Sequence, residues 1–516
     1  MSANNAVDAK KTVSDANAEY ESLYPLWKKT RAICGGEDEV KLYDLSITTA
    51  NLDRLLIPFS DKMTIGQYKI YLQEAELPGI VAEFAKMLVG GLLRKPPTLQ
   101  FGEKVPDDAQ EWILNNFAED NRPIMAFLDE VLWDELQTGN TWIHLDMPPV
   151  EVDQEGEDIP AEPYPVIWKA ETVINWTAGK NAKGEKCLTR IIVKGYTESF
   201  TDDDQFHPDL KETVWVHELG RDGLYQVRVY EKDNEETDVK VVAGKRREKP
   251  PESNVPTFKL IKTIQNYKVN GERINFIPAW PLNGDIKPNK PLLTTLVHKE
   301  VALYNKVSRR NHLLLGAATY TPVVKSDMAP DDFDAIVDAG LGSWIQIGKD
   351  DDIDALKTPT DSLQDMEKAI MANIEEMAKL GVRMLSPEND QSGVALEIRN
   401  ASQNAQLGSL NVKISNTMKL IISTMVSWRY DLDLASEDVD FTLSDDFNPI
   451  PLGADWLRLV TEWYENRLIP RSLWLEIVKK NDLAPGDYDD EAGREEINGD
   501  ELVLPPPAEE DFSGKL

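Results

Sequence analysis

Three helical runs occupy 291–315 (PLLTTLVHKEVALYNKVSRRNHLLL), 361–380 (DSLQDMEKAIMANIEEMAKL) and 394–428 (VALEIRNASQNAQLGSLNVKISNTMKLIISTMVSW). Apolar residues recur in them at the spacing of amphipathic helices. The apolar stripe of the second run is narrow and close to a heptad repeat, and it consists of Leu363, Met366, Ile370, Ile374 and Met377. The order predicts two helices that carry a small module out and back, followed by one very long helix.

The residues between the first two runs indicate a small α/β module. Two strand-like segments, Thr321–Lys325 and Ser343–Gly348, belong to it. After the second run, a short turn at Ser386–Gly393 leads into the third. The spacing therefore predicts helix, insert, helix, turn and long helix in that order.

A carboxylate run in this module, Asp331-Asp332-x-Asp334, has two interpretations. It follows Pro330 and precedes an apolar run, as in the first turn of a helix, where the helix dipole favours carboxylates. Divalent-metal binding is the alternative, but the run lacks the alternating ligands, turn glycine and closing Glu of an EF-hand loop. The helix interpretation is favoured.

Helical and strand patterns surround this central unit. Residues 1–20 are polar and predict a mobile arm, and the strand signals that follow Gly139 predict a sheet. The predicted helices are Glu19–Cys34, Tyr68–Leu93, Asp107–Phe117, Ile124–Gln137, Ala454–Asn466 and Arg471–Lys480. The predicted strands are Asn140–Asp146, Val166–Trp168, Cys187–Lys194, Glu212–Glu218 and Leu224–Tyr230. Beyond Pro485 the acidic, proline-containing tail predicts disorder.

The charge balance limits the classes of function. The 516 residues include 56 Lys+Arg and 90 Asp+Glu, a net charge of −34. A protein that grips nucleic acid by neutralising phosphates should be basic, so the acidity argues against tight DNA binding. The most apolar window, Ile80–Leu93, is too short to span a bilayer and contains Glu83 and Lys86, so we expect a packed helix and no membrane association.

Motifs of common enzymes are missing from the sequence. No Gly-x-x-x-x-Gly-Lys-Ser/Thr loop is present to cradle phosphates, and neither His-Glu-x-x-His nor Gly-x-Ser-x-Gly occurs. Cys34 and Cys187 lie in no zinc-type spacing. We therefore expect no enzyme activity, no cofactor and no metal, although scattered carboxylates leave a metal-dependent DNA-processing enzyme as an alternative.

Several motifs, together with the helix order, resemble those of portal proteins of tailed bacteriophages, and among them an uncharacterised portal-like family. Gly90-Gly-Leu-Leu-Arg-Lys-Pro-Pro97 looks like the family's glycine-led signature, and Gly139–Pro148 is similar to its glycine-led strand. Pro163-Tyr164 with Ile174-Asn-Trp176 resembles a third element, although Glu162 replaces its usual basic residue. The resemblance covers roughly Tyr68–Lys480.

The resemblance implies an α+β, elongated multi-part portal protomer. The implied parts are a mobile arm (1–20), an α/β wing (21–290), stem helix 1 (291–315), a small α/β clip (316–360), stem helix 2 (361–384), a tunnel loop (385–393), a long wing helix with a return strand (394–450), a helical crown (451–485) and an acidic tail (486–516).

Such proteins form a ring, usually of twelve subunits, at one capsid vertex, and so the resemblance implies localisation in the virion and in the host cytoplasm during assembly. The implied partners are other copies of the chain, terminase, adaptor or head-completion and tail proteins, major capsid and scaffold proteins, and double-stranded DNA that passes through without sequence specificity. Another virion structural or assembly protein is the alternative. An adaptor would be shorter and a scaffold mostly helical, and the strands after Gly139 argue against both.

Position in such a ring gives the candidate site residues. Carboxylates that line a channel would repel the phosphate backbone, so that DNA slides without adsorbing. The channel candidates are Asp361, Glu367, Glu375, Glu376 and Glu388, with Lys379 and Arg383 as phosphate contacts. The tunnel-loop candidates are Ser386, Pro387, Glu388, Asn389, Asp390, Gln391, Ser392 and Gly393, and the clip candidates for partner binding are Asp331, Asp332, Asp334 and Trp344.

Overall fold

The structure, a computed structural model, describes most of the chain up to residue 444. The described ranges are 12–47, 53–60, 63–147, 162–180, 186–201, 204–233, 257–265, 272–318, 321–325, 352–356, 361–380, 393–434 and 438–444, with the short pieces 151–152, 158–159, 184 and 267–269 and single residues between 458 and 478. In parts of these ranges, including 199–207, 321–325, 352–356 and 393–407, only the backbone is described.

The chain is an α+β protein that divides into two compact units, 1–445 and 446–516. The helices described in the first unit are α1 (Ala18–Gly35), α2 (Glu37–Ser46), α3 (Ile65–Glu74), α4 (Ile80–Leu92), α5 (Asp108–Asn115), α6 (Ile124–Thr138), α7 (Thr294–Ala318), α8 (Asp361–Leu380) and α9 (Gly393–Tyr430).

The strands described in the first unit lie mainly between α6 and α7. They are β1 (Thr98–Phe101), β2 (Trp142–Asp146), β3 (Glu151–Val152), β4 (Asp158–Ile159), β5 (Tyr164–Trp168), β6 (Val173–Lys180), β7 (Lys186–Thr201), β8 (Asp204–Leu219), β9 (Tyr225–Lys232), β10 (Phe258–Ile264), β11 (Lys268–Val269), β12 (Glu272–Arg273), β13 (Ala279–Pro281), β14 (Thr321–Lys325), β15 (Asp352–Leu356) and β16 (Val439–Thr442).

The helical core forms where α1, α4 and α6 pack on one another. Trp27, Ile33, Leu88, Phe127 and Val131 are buried there. Each such side chain contributes about 1.5–3 kcal/mol on leaving water. This core holds the start of α7, from which the helix pair described below continues.

The predicted single helix Tyr68–Leu93 is wrong, because the chain forms two helices there, α3 and α4. Pro78 has no N–H to donate and disfavours helical geometry at the residue before it. Gly79 then adopts a left-handed conformation with φ of 73°, which glycine tolerates without strain. The chain therefore changes direction between residues 75 and 79.

A five-stranded antiparallel sheet in the order β10-β9-β8-β7-β6 forms the β region, and β13-β2-β5 forms a smaller sheet beside it. The five predicted strands correspond to β2, β5, β7, β8 and β9. Strands β6 and β10 were not expected. One face of the large sheet buries Ile174, Ile192, Val214 and Val216 beneath the N-terminal segment.

The helical residues described in the second unit fall within the two predicted helices of the crown. Tyr464 stacks on Trp474 with ring centroids 5.2 Å apart. The indole Nε1 of Trp474 also donates to Thr461 Oγ1 at 3.4 Å. These contacts bring the two helical segments of this unit together.

Candidate assembly and channel site

Helices α7 and α8 form an antiparallel pair. Lys299 Nζ lies 2.7 Å from Glu376 Oε1, and Arg310 Nη2 lies 3.0 Å from Glu367 Oε1. Residue numbers rise from Lys299 to Arg310 along α7, while those of their partners in α8 fall from Glu376 to Glu367. The two helices therefore run in opposite directions. Asn373 Nδ2 donates to the carbonyl oxygen of Lys299 at 3.2 Å and ties the two backbones together.

The predicted bounds of this pair agree closely with the structure. Helix α8 covers Asp361–Leu380 as expected, whereas α7 begins at Thr294 and extends to Ala318, past the expected end at residue 315. Along α8 the more buried positions are Leu363, Met366, Ile370, Asn373 and Met377, a stripe at three- and four-residue spacing. The predicted stripe included Ile374, which is wrong, because this side chain is exposed.

The outer ends of α7 and α8 are joined through two paired strands. β14 and β15 are antiparallel, with Thr321 opposite Leu356 and Lys325 opposite Asp352. The predicted strand Thr321–Lys325 is therefore confirmed. The clip candidates Asp331, Asp332, Asp334 and Trp344, and the predicted strand Ser343–Gly348, lie outside the described residues.

The first half of α7 is held by buried polar side chains that bind α4 and the 55–57 segment. The carboxylate of Glu300 accepts the backbone N–H groups of Ile80 at 2.8 Å and Val81 at 2.6 Å. These N–H groups lie in the first turn of α4, where they have no partner within the helix, and Gly79 supplies no side-chain cap. Asn305 binds the 55–57 segment, donating to the Leu55 carbonyl at 2.7 Å and accepting from the Ile57 N–H at 2.8 Å. Sequence patterns alone did not identify Glu300 or Asn305.

The long helix α9 is buried in its second half. Ile414, Met418, Ile421, Ile422 and Met425 have no exposed surface. Asn411 Nδ2 donates to the Ser444 carbonyl at 2.8 Å, and the Leu443 N–H donates to Ser415 Oγ at 3.1 Å. The helix is thereby joined to the segment that follows β16. The predicted third helix is confirmed, with bounds Gly393–Tyr430.

The channel candidates whose side chains are described all lie on α8. All three are exposed, and Glu367 and Glu376 also form the ion pairs with α7. Asp361 and Lys379 lie in α8, where only their backbone is described. Arg383 and Glu388 lie outside the described residues, as does the tunnel loop from Ser386 to Ser392, and Gly393 is the first residue of α9. Two of the three described carboxylates are thus neutralised by cations of α7.

A cavity of about 290 Å³ lies where the end of α6 meets α9. Its lining includes Glu135, Asn283, Asn289, Lys290 and Lys413. Burial raises the pKa of Glu135 to about 7, although the Thr141 N–H and Asn283 Nδ2 both donate to its carboxylate. The pKa of the buried Glu135 carboxyl group thus lies near neutral pH.

Large apolar side chains remain exposed around the helix pair. Met371 on α8 is 62% exposed, and Phe59, Ile65, Ile70 and Leu314 are also exposed. Scattered exposed apolar residues are common, but groups of them near one structural element mark contact surfaces. The pair therefore offers surface for further molecules.

Two further kinds of feature are absent from the described part of the chain. No group of three or more His, Cys, Asp or Glu residues there could hold a metal ion. Within the same residues, no helix combines the length and apolarity that crossing a membrane requires.

These features define an α+β chain in which an antiparallel helix pair, a paired-strand connection and a long helix form one continuous unit. Residues 291–429 match the family described as "Domain of unknown function (DUF4055)". The matched range takes in α7, β14, β15, α8 and nearly all of α9. The family match thus coincides with this central unit.

Comparisons over longer stretches gave distant likenesses. No curated protein matches the chain. The chain is similar to a chain of the structure "Virion of native gene transfer agent (GTA) particle", with a TM-score of 0.33 and 11% identity over 83% of this chain and 89% of that chain. It is also similar to a chain of "Neck of native GTA particle computed with C12 symmetry", with a TM-score of 0.32 and 9% identity over 83% of this chain and 90% of that chain.

Proposed function

We propose that the chain is a portal-type subunit that forms a ring of twelve copies at one capsid vertex. The ring passes double-stranded DNA during packaging and ejection, and it binds terminase, head-completion and tail proteins. In this proposal the chain is a structural component of the virion without catalytic activity.

The observation that carries this proposal is the layout of the central unit. Helices α7 and α8 run out and back, their outer ends meet through β14 and β15, and the 38-residue helix α9 follows. A portal subunit requires a stem of two antiparallel helices, a clip between them and a long helix after them. The motifs around residues 90–97, 139–148 and 163–176 support the same proposal from a different part of the chain.

The channel would be lined by α8. The exposed Glu375 supplies the repulsion that keeps DNA from adsorbing, whereas Glu367 and Glu376 are balanced by Arg310 and Lys299. Asp361, Glu388, Lys379 and Arg383 complete the proposed lining. A nearly neutral wall with a few carboxylates binds phosphates weakly, so DNA moves along it without a sequence preference.

Negative-stain electron microscopy of the purified chain tests the proposal. We expect end-on views with twelvefold symmetry and a central hole that admits duplex DNA. Particles that stay monomeric, even with purified scaffold and major capsid proteins present, would contradict the proposed ring. Cleavage of plasmid DNA that is lost on chelation would instead support a metal-dependent enzyme.

A further inference from the structure

Strands β7 and β8 extend beyond the rest of the five-stranded sheet. β6 pairs with β7 only as far as Val193, and β9 pairs with β8 only from Thr213. Among the described strands, Gly195–Thr201 and Asp204–Glu212 therefore pair only with each other. We call residues 195–212 the arm, which is separate from the mobile arm predicted at residues 1–20. An isolated two-stranded ribbon has marginal stability in water, so the arm gains stability from any surface that covers it.

One face of the arm carries two large apolar side chains that the described residues leave uncovered. Tyr196 lies opposite Glu212, and Leu210 lies opposite Glu198, so all four side chains share a face. Tyr196 is 73% exposed and Leu210 is 62% exposed. These are large apolar side chains on an element that the described body of the chain does not cover.

The same face of the sheet is covered nearer the body. Ile192, Val214 and Val216 lie on it, and Val13, Ala16 and Tyr20 of the N-terminal segment pack against this cluster. The covered cluster and the exposed Tyr196 and Leu210 thus lie on one face of β7 and β8, with the Lys194–Glu212 ion pair of 3.7 Å between them. Exposed large apolar side chains beside a covered apolar cluster are typical of a contact surface.

The charge of the arm limits which molecule can cover it. Residues 195–212 contain six carboxylates, at Glu198, Asp202, Asp203, Asp204, Asp209 and Glu212, against the single cation of Lys211. Glu212 pairs with Lys232 at 3.0 Å and with Lys194 at 3.7 Å, and the arm remains acidic without it. Two arms facing each other would repel, which disfavours a symmetric arm-to-arm contact. The arm requires a surface that is both apolar and basic.

Strand β10, at an edge of the same sheet, is such a surface. It carries Lys259 and Lys262 and no acidic residue between Phe258 and Ile264. Leu260 is 47% exposed and Ile261 is 51% exposed. Among the described strands β10 pairs only with β9, so its outer edge also offers backbone hydrogen-bonding groups.

We propose that the arm of one copy packs on the β10 edge of a second copy. The contact joins two different surfaces of the same chain, the kind of interface that closes into a ring when its rotation permits. The inference rests on the proposed function in taking a second copy of the chain as the partner. It assigns two surfaces of the β region to the contact between neighbouring subunits.

Cross-linking between two kinds of chain tests the contact directly. One chain carries Tyr196→Cys and the other Leu260→Cys, both with Cys187→Ser, since Cys187 is half-buried and Cys34 is buried. We expect a bis-maleimide to give linked dimers in the mixture and few with either chain alone. The matched control replaces Tyr196→Cys by Leu42→Cys, an exposed position on α2. Equal dimer yields with Tyr196→Cys and Leu42→Cys would overturn the inference.

Assembly measured by sedimentation velocity gives an independent test. Tyr196→Ser with Leu210→Ser, and separately Lys259→Glu with Lys262→Glu, should each raise the concentration needed for half-assembly at least tenfold. Leu42→Ser with Leu45→Ser, two exposed positions on α2, should leave it unchanged, and circular dichroism verifies folding. Rings that form equally well with both sets of variants would refute the arm contact and leave the proposed function standing. A wild-type chain that gives neither rings nor cross-links would refute both.

Discussion

Glu300 shows how one buried side chain positions a helix of the central unit. Its carboxylate closes the first turn of α4 with two short hydrogen bonds, and it comes from a residue 220 positions further along the chain. A Glu in the second turn of an amphipathic helix is ordinary in sequence, so nothing local marked it as buried. Only the packing of α7 on α4 gives this residue its role, which is why sequence patterns did not reveal it.

Replacing Glu300 should therefore be costly. In a Glu300→Ala variant the N–H groups of Ile80 and Val81 lose their acceptor inside the protein, which costs about 3 kcal/mol of unfolding free energy. Glu83→Ala on the exposed face of α4 should cost less than about 0.5 kcal/mol. Denaturant unfolding followed by circular dichroism measures both, and equal costs would show that the buried cap contributes nothing.

Glu135 should give the protein a pH dependence near neutrality. Its pKa is about 7 in the folded chain and near 4.5 unfolded, so the folded state holds this proton more tightly. The resulting stability is present in full below pH 4.5 and is lost as the pH rises through 7. Relative to Glu135→Gln, the wild type should lose up to about 3 kcal/mol across this range.

Denaturant unfolding of both proteins at pH 4.5, 6 and 7.5 measures this difference. Glu83→Gln is the matched control, since Glu83 is exposed and should leave the pH profile unchanged. Parallel pH profiles for the wild type and Glu135→Gln would contradict the raised pKa.

At the scale of elements, the stability of the α7–α8 pair should depend on the ion pairs between the two helices. Arg310→Glu places two carboxylates together where Arg310 and Glu367 now pair, and Arg310→Glu with Glu367→Arg restores opposite charges. Both side chains are partly exposed, so the effect on unfolding free energy should stay below about 1 kcal/mol. Hydrogen exchange resolves effects of this size within one element.

We expect amides of α8 to exchange several-fold faster in the Arg310→Glu variant and at nearly the wild-type rate in the charge-swapped double variant. Amides of β7 and β8 serve as the internal control, because they lie in a separate element. Faster exchange in the double variant than in the single one would show that the pair does not hold α8 in place.

At the scale of elements, sequence patterns predicted the helices whose apolar residues repeat at helical spacing over a long stretch. Helices α8 and α9 have many apolar residues at helical spacing, and their bounds were predicted within two residues. The split between α3 and α4 was missed because the apolar period continues on both sides of Pro78. Strand β10 was missed because both of its faces are largely exposed, so its sequence has no regular alternation of apolar and polar residues. The strand forms because its backbone pairs with β9.

The predicted tunnel loop, Ser386–Gly393, should be needed for the function of the proposed ring and should contribute little to the folding of one subunit. Deletion of Ser386–Gly393 should leave ring formation intact while reducing DNA packaging or retention, because the proposed loop faces the channel. Packaging assays in capsids carrying the deleted chain measure this. A replacement of the same eight residues by a Gly/Ser linker separates loss of side chains from loss of length, and unchanged packaging with both variants would contradict the tunnel-loop assignment.

At the scale of the molecule, sequence could predict the α+β class and the order of the central unit. It could not predict which surfaces stay uncovered. The arm and the β10 edge are brought to one sheet by pairing across β8 and β9, and their exposure follows from where neighbouring strands end. Surface complementarity of this kind depends on tertiary structure, so a single sequence does not reveal it.

The pairing of Lys325 with Asp352 also bears on how such chains evolve. The segment 326–351 begins after Lys325 of β14 and ends before Asp352 of β15, and the two backbones at these positions are about 5 Å apart, the spacing of paired strands. A segment whose ends lie that close can be lengthened, shortened or exchanged without a new geometry for α7 and α8. Recombination at this junction would therefore let a lineage exchange the segment 326–351 while α7, α8 and α9 are inherited unchanged.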